Sequence, residues 1–121
     1  MERVYPVIFT KTNDDKDTVL IEVPDLGILT EGYGMANAIY MARDAIGLHG
    51  ITKEDMGISI AEARDIKEID LSKAEFADSG ECCVSLVDID FDEYRKKIDN
   101  KMVRKNVTIP SWLNKAAIMK K

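Results

Sequence analysis

The apolar residues of this chain change rhythm once, from a period of two to a period near 3.6, and that change confines the fold to strands laid against a helix. Between Val4 and Thr10, β-branched and aromatic residues dominate, with Tyr5, Val7 and Phe9 on one face and Val4 and Ile8 on the other. Pro6 has no donor, so it is expected at an edge or a non-bonded position. Asn13-Asp14-Asp15 supplies turn chemistry, and Thr18 to Val23 reads as a second strand with Val19, Ile21 and Val23 aligned, completing an antiparallel hairpin. Pro24-Asp25-Leu26-Gly27 turns the chain into a third short strand, Ile28 to Glu31, which Gly32 and Gly34 end. Met35, Ala38, Ile39, Ala42, Ala45 and Ile46 then fall on one helical stripe.

The pattern continues less clearly. Thr52 is placed to cap a second short helix, with Asp55 in its first turn. Residues 57–81 are charged and weakly periodic and read as an irregular connection. Val84 to Ile89 is a fourth strand, in which Cys82 and Cys83 just before it are expected as small buried thiols. Asp90 stands as an N-cap with Glu93 three residues on, opening a helix that carries Phe91, Tyr94 and Ile98 on one side. Val103 to Ile109 alternates again and predicts a strand, after which Pro110 begins a helix with Trp112, Leu113, Ala116 and Ala117.

A chain of 121 residues that is 45% hydrophobic accommodates one compact domain with a small appendage, and it is too apolar to be disordered. No apolar run approaches the ~18–20 residues of a membrane span, and no cleavable signal precedes the first strand, so a cytoplasmic protein is expected. Charge is distributed unevenly. Residues 1–93 hold 8 basic and 21 acidic side chains, a net of −13, whereas residues 94–121 hold 9 basic and one acidic, a net of +8. Two partners of opposite sign fit this division, a basic protein for the front and nucleic acid for the back, although two solvated surfaces would read the same way.

Chemistry is hard to find. Adjacent Cys82 and Cys83 would strain an ordinary disulfide, and with the lone His49 they do not complete a tetrahedral metal site. A metal-dependent nuclease needs converging carboxylates, yet Val4 to Thr10 contains no Asp or Glu. No phosphate-cradling loop or nucleophile elbow occurs. No cofactor, metal or catalytic residue is therefore expected. The last strand is more informative: Arg104, Asn106 and Thr108 share a face, and Arg and Asn are the side chains that read guanine and adenine edges. A groove-reading ribbon needs two antiparallel strands and hence a dimer. An ordinary edge strand with solvated polar residues is the equal alternative.

Several segments resemble the HicB antitoxins of bacterial toxin–antitoxin pairs: Tyr5-Pro-Val-Ile-Phe, Val23-Pro-Asp-Leu-Gly, Thr30-Glu-Gly, the helix from Ala38, Asp65-Ile-Lys-Glu-Ile, Val84-Ser-Leu-Val-Asp-Ile-Asp and Val103-Arg-Lys-Asn-Val-Thr-Ile-Pro-Ser-Trp-Leu-Asn. They run in order along nearly the whole chain. The resemblance implies a partial RNase H-like domain without nuclease activity that covers HicA, a small RNA-binding mRNA interferase. It also implies a ribbon-helix-helix segment that binds the operator of its own operon as a dimer, with Arg104, Asn106 and Thr108 reading bases and Lys105 and the Pro110–Trp112 helix start near phosphates. The sequence stops at Lys121, about three turns into that helix, so the ribbon-helix-helix unit is expected to be incomplete.

The expectation is thus an α+β protein of order β-β-β-α-β-α with a partial RNase H-like, HicB-like domain over residues 1–99 and a basic strand-helix segment over residues 100–121. Its expected function is neutralisation of a HicA-like toxin, with DNA binding through Arg104, Lys105, Asn106 and Thr108, as a homodimer or higher oligomer. The toxin-contacting residues are not legible. The alternative is a dimeric DNA-binding repressor with no toxin partner.

Overall fold

The computed structural model describes the backbone of residues 1–108 and the side chains of residues 1–99. Strands β1 (Glu2–Lys11), β2 (Thr18–Val23) and β3 (Ile28–Tyr33) form a meander, helix α1 (Met35–Asp55) follows, and β4 (Glu81–Asp90) leads into helix α2 (Phe91–Thr108). The sheet order is β3-β2-β1-β4, and every neighbouring pair is antiparallel. The expected β-β-β-α-β-α sequence is present, with the fourth strand returned beside the first.

The period-two pattern has the predicted consequence. Tyr5, Val7, Phe9, Val19, Ile21 and Val23 are buried on the face that meets Ala38, Ala42 and Ile46 of α1. Full burial of each larger aliphatic or aromatic side chain contributes about 1.5–3 kcal/mol. The β1–β2 turn is held by Asp14, whose carboxylate accepts hydrogen bonds from the Thr18 amide at 2.8 Å and the Thr18 hydroxyl at 2.7 Å. These bonds hold the Asp14 carboxyl below its ordinary range. Gly34, at φ 83° and ψ 154°, makes the step from β3 into α1 through backbone space that L side chains rarely enter.

Pro6 meets its expectation in a local sense. It lies in an interior strand, but the β1–β2 ladder ends at Ile8↔Glu22 while the β1–β4 ladder continues past Pro6↔Leu86. The Phe91 amide donates to the Met1 carbonyl at 3.0 Å, one step beyond Glu2↔Asp90. Odd-numbered residues of β1 therefore bond to β4, and even-numbered ones, Pro6 included, turn their main-chain groups the other way. The missing donor costs no ladder bond.

Three expectations are corrected. No second helix starts at Thr52, because α1 runs unbroken to Asp55. Its stripe continues through Ile46, Gly47, Gly50 and Ile51, and the two glycines let α2 approach. Cys83 is exposed, since that end of β4 extends beyond the cover of α1, and Cys82, on the opposite face beside Thr10, is only half-buried; both are free thiols. The strand expected over Val103–Ile109 is replaced through Thr108 by the last turns of α2. A strand without a partner leaves its donors and acceptors unmet, whereas a helix satisfies them within one chain. α2 also spans the expected division after Asp99, while Ile109, Pro110, Trp112 and the helix predicted there lie outside the described residues.

The connection 57–80 is irregular, as expected, apart from short 3₁₀ turns at Ile66–Glu68 and Leu71–Lys73. It is nonetheless anchored. The Tyr5 hydroxyl donates to the Ala61 carbonyl at 2.7 Å, Arg64 meets Asp25 at 2.6 Å, and the Glu75 amide donates to Glu22 at 2.9 Å.

A Cβ on Gly50 would lie 2.1 Å from Cε1 of Phe91, a ring that is itself fully buried. Gly50→Ala is expected to lower unfolding free energy by about 1–3 kcal/mol through overpacking. The ~1 kcal/mol by which alanine exceeds glycine in an open helix is outweighed. Urea denaturation measures the result, and a stabilised variant would refute the close approach of α1 and α2.

Candidate partner-binding surface

A cleft of about 270 Å³ lies where α1, the end of β4 and the start of α2 converge. Asp90 closes β4 and opens α2: its carboxylate accepts from the Asp92 amide at 3.0 Å and the Glu93 amide at 3.3 Å, which is the N-cap its spacing predicted. The Met1 ammonium meets Asp92 and lies 3.7 Å from Asp90. Hydrogen bonding to Asp92 raises the pKa of that amine, and the same contact lowers the Asp92 carboxyl. These pairs are exposed, so their effect on stability is small.

On the opposite wall, Arg43 of α1 reaches β4 twice. Its Nε donates to the Asp88 carbonyl at 3.0 Å, and a terminal nitrogen donates to the Asp88 carboxylate at 3.0 Å. At the floor, the Tyr94 hydroxyl donates to Asp44 at 3.0 Å. Tyr94 packs against Gly47, where a Cβ would come within 2.6 Å of the ring. Beyond the cleft, Arg95 of α2 joins Glu54 and Asp55 at the end of α1, each at 3.0 Å, and this pairing raises its pKa. The cleft is consequently rigid at its base and anionic at its rim, where Asp44, Asp88, Asp90 and Glu93 contribute carboxylates against Arg43 and Lys97.

This arrangement can hold a cationic group or a basic surface by charge and hydrogen bonding. Among the described residues, no group of three or more His, Cys, Asp or Glu side chains is placed to hold a metal ion. His49 is partly buried on α1, and burial lowers its pKa. No helix among the described residues is long and apolar enough to cross a membrane.

Of the residues expected to touch DNA, Arg104, Lys105, Asn106 and Thr108 all fall in the final turns of α2. Their side chains lie outside the described residues. Sequence reasoning missed Arg43, Asp44 and Asp88 as members of one cleft. Arg43 and Asp88 stand 45 positions apart, and Asp44 and Tyr94 stand 50 apart, so no local spacing links them.

A family model described as the HicB-like antitoxin of bacterial toxin-antitoxin systems matches residues 5–118. The chain belongs to the HicB-like antitoxin family. Its fold is similar to that of a chain in a toxin–antitoxin complex from Streptococcus pneumoniae, with 24% identity, a TM-score of 0.65, and coverage of 78% of this chain and 73% of the other. It is also similar to the Burkholderia pseudomallei antitoxin HicB, at 22% identity and a TM-score of 0.57 over 96% of this chain and 94% of that one. At these identities the two structures speak for the fold. No individually curated protein matches the sequence. The HicB-like antitoxin assignment accords with the resemblance carried by the sequence segments.

The Tyr94 pKa is pushed up to about 12, first by burial and then by its bond to Asp44 and the charge there. The unfolded chain ionises this phenol near its ordinary value of about 10. Its contribution is therefore complete below about pH 10 and fades as pH rises toward 12, by an amount on the order of 2 kcal/mol. Tyr94→Phe should remove that alkaline loss while costing about 1 kcal/mol at neutral pH. Chemical denaturation of both proteins between pH 8 and about 11.5 provides the check.

Proposed function

We propose that this chain is an antitoxin that binds and neutralises a HicA-like mRNA interferase, a small basic protein, by covering its RNA-binding surface. Membership of the HicB-like antitoxin family over residues 5–118 carries the proposal. The net charge of −13 over residues 1–93 supports it, because a protein that grips RNA presents cations to an anionic backbone and an acidic surface competes for them. The anionic rim above the α1–β4–α2 cleft is part of that surface. In this proposal the chain performs no reaction itself, acts in the cytoplasm, and uses residues 1–99 for the toxin as a partial RNase H-like body. The meander, α1 and the strand returned beside β1 are the features behind that comparison.

The second half of the proposal concerns residues 100–121. Arg104, Lys105, Asn106 and Thr108, in the last turns of α2, would contact operator DNA in a homodimer or higher oligomer. Repression of its own operon would follow. A DNA-binding repressor without any toxin remains the rival, and the two differ in whether a basic protein binds residues 1–99.

Co-expression with a HicA-like toxin is expected to restore growth and to give a complex that survives purification. Affinity should fall at least about tenfold between low and high salt, as expected for charge-steered association. Absence of any complex at micromolar concentration would overturn the antitoxin proposal. In a gel-shift, Arg104→Ala and Asn106→Ala should each weaken operator binding by about 1–3 kcal/mol. Unchanged binding by both variants would remove these residues from the DNA interface.

A further inference from the structure

β4 is ten residues long and is paired on one side only, since it ends the order β3-β2-β1-β4. Its register with β1 shows which of its groups are open. The bond from the Phe91 amide to the Met1 carbonyl places the odd-numbered residues of β4 in hydrogen-bonded pairs with β1. The even-numbered residues therefore turn their N–H and C=O groups to the outer edge. Arg43 confirms this independently, because its Nε reaches the Asp88 carbonyl from outside the sheet. That contact occupies the edge at Asp88, while along the run from Cys82 through Leu86 the outward main-chain groups of Cys82, Val84 and Leu86 make no hydrogen bond among the described residues.

The side chains along this run favour an added strand. Cys82 through Val87 carry no charge, and Glu81, Asp88 and Asp90 bound the run with carboxylates. On the sheet face away from α1, Leu86 is 52% exposed and Val4 is 47% exposed, and the register sets them diagonally adjacent. An incoming strand would thus find main-chain partners, an apolar centre and anionic ends. A second copy of this chain fits poorly, because its β4 would bring three more carboxylates and no Lys or Arg to the shared ribbon.

We infer that the outer edge of β4 is a docking strand that pairs, through Val84 and Leu86, with an extended segment of a basic protein partner. The segment presents an apolar side chain to Leu86 and Val4 and places Lys or Arg against Asp88 and Glu81. Five open residues at ~3.3 Å each match the length of an ordinary short strand. The inference rests on the antitoxin proposal and adds the mode of attachment, while the cleft beside Asp88 accepts basic side chains next to the paired strand.

Residue-resolved amide hydrogen exchange on the full chain tests this, alone and with a catalytically inactive variant of a HicA-like toxin. Alone, the Val84 and Leu86 amides should exchange at least about tenfold faster than those of Ser85 and Val87. In the complex they should slow by about a hundredfold or more. Leu86→Pro removes an outward N–H without a β1 bond and should weaken the complex at least about tenfold. Leu86→Lys, which leaves the ladder intact, should weaken it as well. A complex that forms without slowing Val84 and Leu86 overturns the docking strand and leaves the antitoxin proposal standing. No complex overturns both. Slowing that appears in the chain alone as its concentration rises would assign the edge to a second copy and overturn the inference.

Discussion

β1 is the strand on which the structure depends, because it is an interior strand and carries the longest ladder of the sheet. Its pairing with β4 runs the full ten residues from Glu2↔Asp90 to Lys11↔Glu81, whereas its ladder with β2 covers four residue pairs. Tyr5, Val7 and Phe9 place its apolar side chains at the centre of the core. A slip of one residue would exchange that face for the one bearing Val4, Pro6 and Ile8 and would separate α1 from its cover. Long β1–β4 pairing also brings the first and last parts of the acidic region together, which is why the amino terminus ends beside the start of α2.

Most of this arrangement was legible because it follows from local periodicity. Val19, Ile21 and Val23 alternate, Ala38, Ala42 and Ile46 recur at helical spacing, and Asp90 with Glu93 marks a helix start. What was not legible depends on contacts distant in sequence. Thr52 and Asp55 suggested the start of a second helix, but α1 runs through them, and Gly50 just before them admits the ring of Phe91. The exposure of Cys83 depends on where α1 stops covering the sheet. For Val103 to Thr108 the alternation is present, yet among the described residues no strand is placed to pair with it, and the segment continues α2.

The candidate site shows the same division. The family was recognisable from ordered segments, and the charge asymmetry was visible by counting. The cleft was not, since Arg43, Asp44, Asp88 and Tyr94 meet only after β4 has returned beside β1. Electrostatic character is thus spread through the sequence, while the positions at which it acts are created by topology.

β4 passes directly into α2, with Asp90 ending one and Phe91 beginning the other. There is no intervening loop to absorb movement. α2 is about 27 Å long at 1.5 Å per residue, and Phe91 and Tyr94 clamp its first turns to α1 through Gly50 and Gly47. Strand and helix are therefore joined without a hinge, so the direction in which α2 leaves the sheet is set jointly by the end of β4 and by the glycine contacts of α1.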